Sequence, residues 1–404
     1  MIQDNKINKY DKAIIILLIS IAFGGLYIGF GALQYSRILA ILFAPMLLSK
    51  ITKCNYIKPL LFFALFVILY GCISLLWSPN PSRGIEELLY YIAHFLLFFE
   101  IIVFSKYATK AFKSISLGWI LSLSITLVIA MWEITTGEHL SNSVEHGDTF
   151  NLEYGQTISR KYAAVAFHNY NSYVTYICMA LPFVFFSLFG KVKKKSFIYL
   201  IAIILLSASV ILFNSSRGGL LCLIVFFLIY FINSPKKKYV IPIFVMLGGG
   251  MLFYFGEDML SVISYRASDG GLTTDTGRMQ IYSNAIKVFF DTFGFGTGVG
   301  GLNSWMSKFS NNILATHNLF LEILAQFGFV IFLLFTVFMV RLFFKSLKVS
   351  DSNRRIVLYM LFFSLPILSI IDSGYLLGAH FFAYISSIIV FVNHEQIKPI
   401  NKNL

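Results

Sequence analysis

Runs of apolar residues long enough to cross a bilayer recur from one end of this 404-residue chain to the other. A helical span needs about 20 residues, and inside lipid every backbone N–H and C=O must be satisfied within the spanning segment itself. With 57% hydrophobic and 13% charged residues, the chain is too apolar for a soluble domain of ordinary composition. The sequence therefore predicts an all-α fold, a polytopic transmembrane helical bundle of about 12 spans. They fall near residues 13–30, 35–49, 59–77, 87–105, 114–134, 165–189, 196–213, 219–233, 239–255, 316–344, 356–372 and 379–393. The first run follows a basic start without a small-residue cleavage site, and we treat it as a retained span.

Basic residues set the expected orientation. With a cytoplasmic N-terminus, 23 of the 32 Lys and Arg fall on the inner side, in clusters such as Lys6, Lys9, Lys12 and Lys236, Lys237, Lys238. Every inner connection is then basic, as the positive-inside rule requires, and both termini are cytoplasmic. These juxtamembrane clusters account for the net charge of +13 at the level of anionic lipid headgroups, and no nucleic-acid partner is expected. The four cysteines lie in spans or in an inner loop, so neither a disulfide framework nor a zinc site follows. No metal and no cofactor is expected.

This topology divides the chain into residues 1–255 with spans one to nine, an extracytoplasmic loop at 256–315, and residues 316–404 with the last three spans and a cytoplasmic tail. The inner connections are short, whereas two outer loops, near 135–164 and 256–315, are long. Elaborated loops on a rigid scaffold carry function, so the working face is expected to be the outer one.

Three polar segments on that face have related chemistry. Asn214-Ser215-Ser216-Arg217-Gly218-Gly219 sets Arg217 at the N-terminus of a span, with Ser216 as a cap. Free N–H groups, the positive end of the helix dipole and a guanidinium fork together suit a phosphate or diphosphate. In the large loop, Asp275 or Thr276 can cap a short amphipathic helix with Arg278 in its first turn and Met279, Tyr282, Ile286, Phe289 and Phe290 on one apolar face. Thr316 can cap the tenth span, placing His317 and Asn318 in its first turn, where the dipole favours the neutral imidazole that a base needs. Gly296, Gly298 and Gly301 formally fit a dinucleotide fingerprint, but no strand precedes them, and we read the glycines as a tight turn over the bundle.

Taken in order, Trp77-Ser78-Pro79-Asn80-Pro81, His168-Asn169-Tyr170-Asn171, Asn214 to Leu221, Thr276-Gly277-Arg278, the glycines at 296–300 and His317-Asn318-Leu319-Phe320-Leu321-Glu322 resemble the O-antigen ligase and polymerase superfamily of bacterial envelope glycosyltransferases. The resemblance covers most of the chain. It implies a GT-C-like membrane enzyme that works without a metal at the outer face of the bacterial plasma membrane. The implied donor is a glycan borne on a polyprenyl diphosphate, and the acceptor a glycan or a lipid, with membrane lipids around it and a flippase or chain-length protein as a further partner. By the same resemblance Arg217 and Arg278 bind the diphosphate and His317 serves the acceptor. Ser216, Thr276, Asn318, His168 and Asn169 are the accompanying substrate-binding candidates.

Two choices stay open at this level. A polymerase joins lipid-linked repeat units, whereas a ligase passes the finished glycan to a lipid or wall acceptor, and both need the same donor site. The lack of a large acceptor-docking domain favours the polymerase. A transporter is the rival of a different class, but it needs paired polar residues near the midplane of repeated halves, and here the polar residues gather at one surface. Arg83, Glu86, Glu87, Arg160 and Asp372, near outer span ends, either contact sugars or pair with one another.

Overall fold

The computed structural model describes residues 7–26, 33–140, 149–151, 157–159, 162–167, 169–189, 193–233, 276–309 and 315–397. The predicted ninth span, the loop up to Asp275, Arg160 and His168 lie outside the described residues. The helices are α1 (Lys9–Ser20), α2 (Tyr35–Ile51), α3 (Lys58–Ser74), α4 (Pro81–Tyr107), α5 (Ala111–Thr136), α6 (Tyr170–Phe189) and α7 (Lys194–Phe213). They continue with α8 (Arg217–Asn233), α9 (Thr276–Asp291), α10 (Leu302–Met306), α11 (Leu319–Ser346), α12 (Ser352–Leu368) and α13 (Ala379–Ile397). A two-stranded antiparallel hairpin, β1 (Thr149–Asn151) and β2 (Thr157–Ser159), is paired with Phe150 opposite Ile158. The architecture is the expected all-α polytopic bundle. Among the described residues six helices, α3 to α7 and α11, are long and apolar enough to cross a membrane, and α8 and α13 are shorter apolar helices.

The bundle is built around α4. Asn80 accepts a hydrogen bond from Arg83 N–H and Pro81 opens the helix, a start that needs no donor from the first position. Most of its residues are buried, and it packs against α1, α2 and α13. Peripheral helices do the reverse. Leu69 and Leu76 on and just beyond α3, and Ile232 on α8, are exposed, as side chains that face hydrocarbon should be. At one end, Asp11 fastens α1 to the turn between α4 and α5. It accepts from Thr109 Oγ1 at 2.6 Å, Ser114 Oγ at 2.7 Å and the N–H groups of Thr109 and Lys110.

At the opposite end two predicted spans stop short of their expected limits. Residues 165–167, read as helical, form a buried non-helical segment in which Val165 has φ 54°. The Glu133 carboxylate holds it by accepting from Ala164 and Val165 N–H at 2.8 and 2.9 Å, and Asn214 pairs with Ala163 in both directions. Likewise α12 stops at Leu368, so residues 369–372 are a turn rather than the last residues of a span.

The glycine-rich segment does more than turn over the bundle. Gly294, Gly296, Gly298 and Gly300 all have φ between 75° and 78°. They let a strap of bare backbone thread between α3, α4 and a break in α11 at Gly328, itself at φ 74°. The break frees helical carbonyls, and the strap satisfies them. Thr297 N–H donates to Ala325 O at 2.8 Å, Gly298 N–H to Gln326 O at 3.1 Å, and Phe329 N–H to Gly294 O at 2.9 Å. The Trp-Ser-Pro motif grips the other edge of the strap, Trp77 Nε1 donating to Gly296 O at 3.1 Å and Ser78 Oγ to Val299 O at 2.8 Å.

Candidate functional site

The elements that carry the nominated residues meet at the turn Ser369–Asp372. Arg217 is the first residue of α8 and is exposed, and Ser216 Oγ caps the helix by accepting from Gly219 N–H at 3.3 Å. The next residue, Gly218, lies so close to the turn that a Cβ there would stand 2.6 Å from Ile371 Cγ1. Arg278, in the first turn of α9, donates from Nη1 to Ile370 O at 2.9 Å. Leu319, the first residue of α11, donates its N–H to Ser369 O at 2.8 Å. Two helix N-termini with an arginine and the start of α11 thus share one short piece of backbone.

The structure corrects the expected cap of α11. Asn318, not Thr316, is the N-cap, its Oδ1 accepting from Phe320 and Leu321 N–H at 2.9 and 3.1 Å. His317 therefore precedes the helix instead of sitting in its first turn, and its φ of 45° is a left-handed conformation rare for a residue with a side chain. Its carbonyl accepts from Tyr282 Oη at 3.4 Å, which ties the His317 segment to α9. The apolar face of α9 is also different from the expected one. Ile281, Ala285 and Val288 are buried with Ala325 and Met306, whereas Met279, Ile286 and Phe290 are exposed. Thr276 opens α9, and Asn169 caps α6 by accepting from Ser172 N–H at 2.9 Å.

Beside the turn lies a polar chamber of about 740 Å³, walled by residues from α2, α4, α10, α11, α13 and the strap. Asn169, Thr316 and Asp372 contribute to it, but Arg217, Arg278 and His317 are not among its walls. Asp372 accepts from Ser172 Oγ at 2.8 Å. Burial pushes its carboxyl up to about 6, against the hydrogen bonds from Ser373 N–H, Ser172 and Asn169 that favour the charged form. Arg83 pairs with Glu86 at 2.7 Å and Glu87 at 3.2 Å while lining the chamber, so of the two roles the sequence allowed these charges it is the mutual pairing that the structure shows.

Sequence reasoning passed over several chamber residues. Arg37, 5% exposed, lies 3.5 Å from the centre of the Tyr90 ring and donates from Nε to His94 Nε2 at 3.3 Å. Glu322 accepts from the N–H groups of Gly374, Tyr375 and Leu376, at 3.0 to 3.4 Å. Gln326 joins α11 to α4 by donating to Glu87 Oε2 and to Tyr91 Oη. The signal for Arg37 and Glu322 was present, because an ionisable residue inside an apolar run is expensive and marks a polar interior.

Comparison with known proteins matches residues 200–336 to the family Wzy_C, described as O-antigen ligase. That stretch takes in Arg217, Arg278, the glycine strap and His317. Over 292 residues the chain is 25% identical to the teichuronic acid biosynthesis protein TuaE of Bacillus subtilis (strain 168), a match covering 69% of this chain and 58% of that protein. The matched part is thus less than two thirds of the relative's own length. Motif order, the helical architecture and these two similarities agree, and the chain is a polytopic membrane protein similar to the O-antigen ligase and polymerase superfamily.

Proposed function

We propose that the protein is an extracytoplasmic glycosyltransferase that polymerises the repeat units of a cell-surface polysaccharide from a polyprenyl-diphosphate-linked donor. The observation that carries this reading is the convergence of Arg278, the N-terminus bearing Arg217 and the His317 segment on the Ser369–Asp372 turn. The acceptor hydroxyl oxygen forms a bond to the anomeric carbon as the bond from that carbon to the diphosphate oxygen breaks. The hydroxyl proton passes to the His317 imidazole, and the electron pair leaves with polyprenyl diphosphate. Arg217 and Arg278 supply the cationic stabilisation that the departing diphosphate needs, and the scheme invokes no metal ion. A ligase would use the same donor chemistry with a lipid or wall acceptor. The teichuronic acid function in the relative's name favours chain synthesis over transfer to a lipid core.

Removal of either guanidinium tests the donor site. Loss of one charge-assisted contact costs about 1.5–3 kcal/mol, so Arg278→Ala and Arg217→Ala should each lower turnover roughly 10- to 150-fold. Arg278→Lys should recover only part of it, since an ammonium keeps the charge but lacks the planar fork. Purified Arg278→Ala protein with wild-type rate and product length would end this role.

Orientation has its own test. In a background without Cys72, the exposed native cysteine, a cysteine at Asn303 should react with a membrane-impermeant thiol reagent in intact cells. One at Lys193 should react only after permeabilisation. The opposite pattern would put the site on the cytoplasmic face and remove the lipid-diphosphate scheme with it.

A further inference from the structure

The chamber of about 740 Å³ takes no part in the scheme above, yet its wall is rich in polar and charged groups. Its carboxylates are each held by their own wall. Glu87 accepts from Gly300 N–H at 3.1 Å and from Gln326 and Arg83, Glu322 from three backbone N–H groups, and Asp372 from Ser172. Such bracing fixes the wall before any ligand arrives, which lowers the ordering cost of binding. Gln34, Asn303 and Ser304 add amide and hydroxyl groups, and His380 Nε2 is buried without a hydrogen-bond partner among the described residues.

The charge and the mixture of groups narrow the ligand. Two guanidinium groups, Arg37 and Arg83, stand against four carboxyl groups, Glu86, Glu87, Glu322 and Asp372, so the wall offers an anion no net attraction. Amides, hydroxyls and carboxylates side by side both donate and accept, as the neighbouring hydroxyls of a sugar ring do. The volume lies within the roughly 300–1,000 Å³ of sites that enclose small ligands. Position narrows it further. Thr316, immediately before His317, lines the chamber, and so does Asp372 at the end of the turn on which the arginine-bearing helices converge, whereas the arginines themselves do not.

We infer that the chamber seats the acceptor saccharide, an uncharged hydroxyl-rich pyranose whose attacking hydroxyl is presented toward His317. The inference rests on the glycosyltransferase reading and assigns the acceptor half of its site. It places the two substrates on opposite sides of the Ser369–Asp372 turn.

The test uses purified full-length protein in lipid nanodiscs, a synthetic polyprenyl-diphosphate disaccharide as donor and a short neutral oligosaccharide as acceptor. Asn303→Trp and Ser304→Trp put an indole at the rim from the short helix α10, where Asn303 is exposed and no core contact is lost. Each should raise the apparent KM for acceptor by about tenfold or more, with kcat at saturating acceptor and donor affinity without acceptor both within about twofold. Gln34→Ala should raise that KM by roughly three- to tenfold. An acceptor with a carboxylate on the same ring should bind more weakly than the neutral one. Unchanged acceptor KM in both tryptophan variants overturns the inference, and so does lost donor affinity, which would give the chamber to the donor glycan. Direct titration of acceptor into protein without donor separates the two readings. If wild type transfers nothing but binds the saccharide, and Ser304→Trp abolishes that binding, the catalytic reading fails while the saccharide chamber stands. If wild type transfers but Ser304→Trp binds acceptor normally, only the chamber assignment fails.

Discussion

Gly328→Ala should abolish recovery of folded protein or lower its apparent melting temperature by roughly 10 °C or more in detergent, a larger effect than any single side-chain truncation at the site. Gly328 has φ 74°, and a Cβ there would lie 2.4 Å from Gly294 O and 2.6 Å from Phe295 C. The left-handed conformation alone costs an alanine about 1–2 kcal/mol. The clash adds to it because neither backbone can retreat. Phe329 N–H holds Gly294 O, and Thr297 N–H holds Ala325 O on the other side of the break. Together these put the cost on the order of 3–5 kcal/mol. Gly137→Ala is the control, since Gly137 has φ 76° but nothing within 4 Å of its Cβ position. It should lose only the conformational part. Fluorescence-detected size exclusion over a temperature series compares the two, and a Gly328→Ala protein that melts within about 2 °C of wild type would contradict the strap's role in holding α11.

The second large effect is expected at His317. If its imidazole takes the acceptor proton, His317→Ala should slow transfer by about 10²- to 10⁴-fold while the lipid-linked donor still binds, because the arginines are untouched. The backbone complicates a simple alanine result. At φ 45°, His317 occupies a conformation that most residues resist, so alanine removes the imidazole and also disturbs the segment. Asparagine separates the two, because it tolerates the left-handed region and has no basic nitrogen. His317→Asn should therefore keep the melting temperature and donor affinity of wild type yet transfer as slowly as alanine. Single-turnover kinetics with preloaded donor reads the step directly. Near-wild-type transfer by His317→Asn would make His317 a positioning residue at the start of α11, and the proton acceptor would have to come from elsewhere.

Legibility in the sequence followed the range of the forces involved. Most predicted spans coincide with helices because hydropathy over about 20 residues is a property of the segment alone. Ser216 before Arg217 was readable for the same reason, since a capping hydroxyl reaches N–H groups only two or three residues away. The start of α11 was not. Thr316 and Asn318 are both good caps by type, and the choice is made where Leu319 N–H meets Ser369 O, fifty residues along the chain. Helix α9 posed a similar ambiguity. It has apolar residues around much of its circumference, and only contact with α10 and α11 decides that Ile281, Ala285 and Val288 turn inward.

By itself, then, the sequence determined a membrane-embedded helical bundle, the polar segments that interrupt it and the residue types able to handle a diphosphate. Which of those segments meet was decided by tertiary structure alone. The left-handed glycines announce a turn in any context, but the strap they form lies between Trp77 and the break at Gly328 because freed carbonyls inside a bundle have no water to turn to. Arg37 with His94, Glu322 with Gly374 and Ser172 with Asp372 are joined across 57, 52 and 200 residues. Each is a buried polar group whose partner is fixed by packing geometry, and no local pattern encodes such a partner.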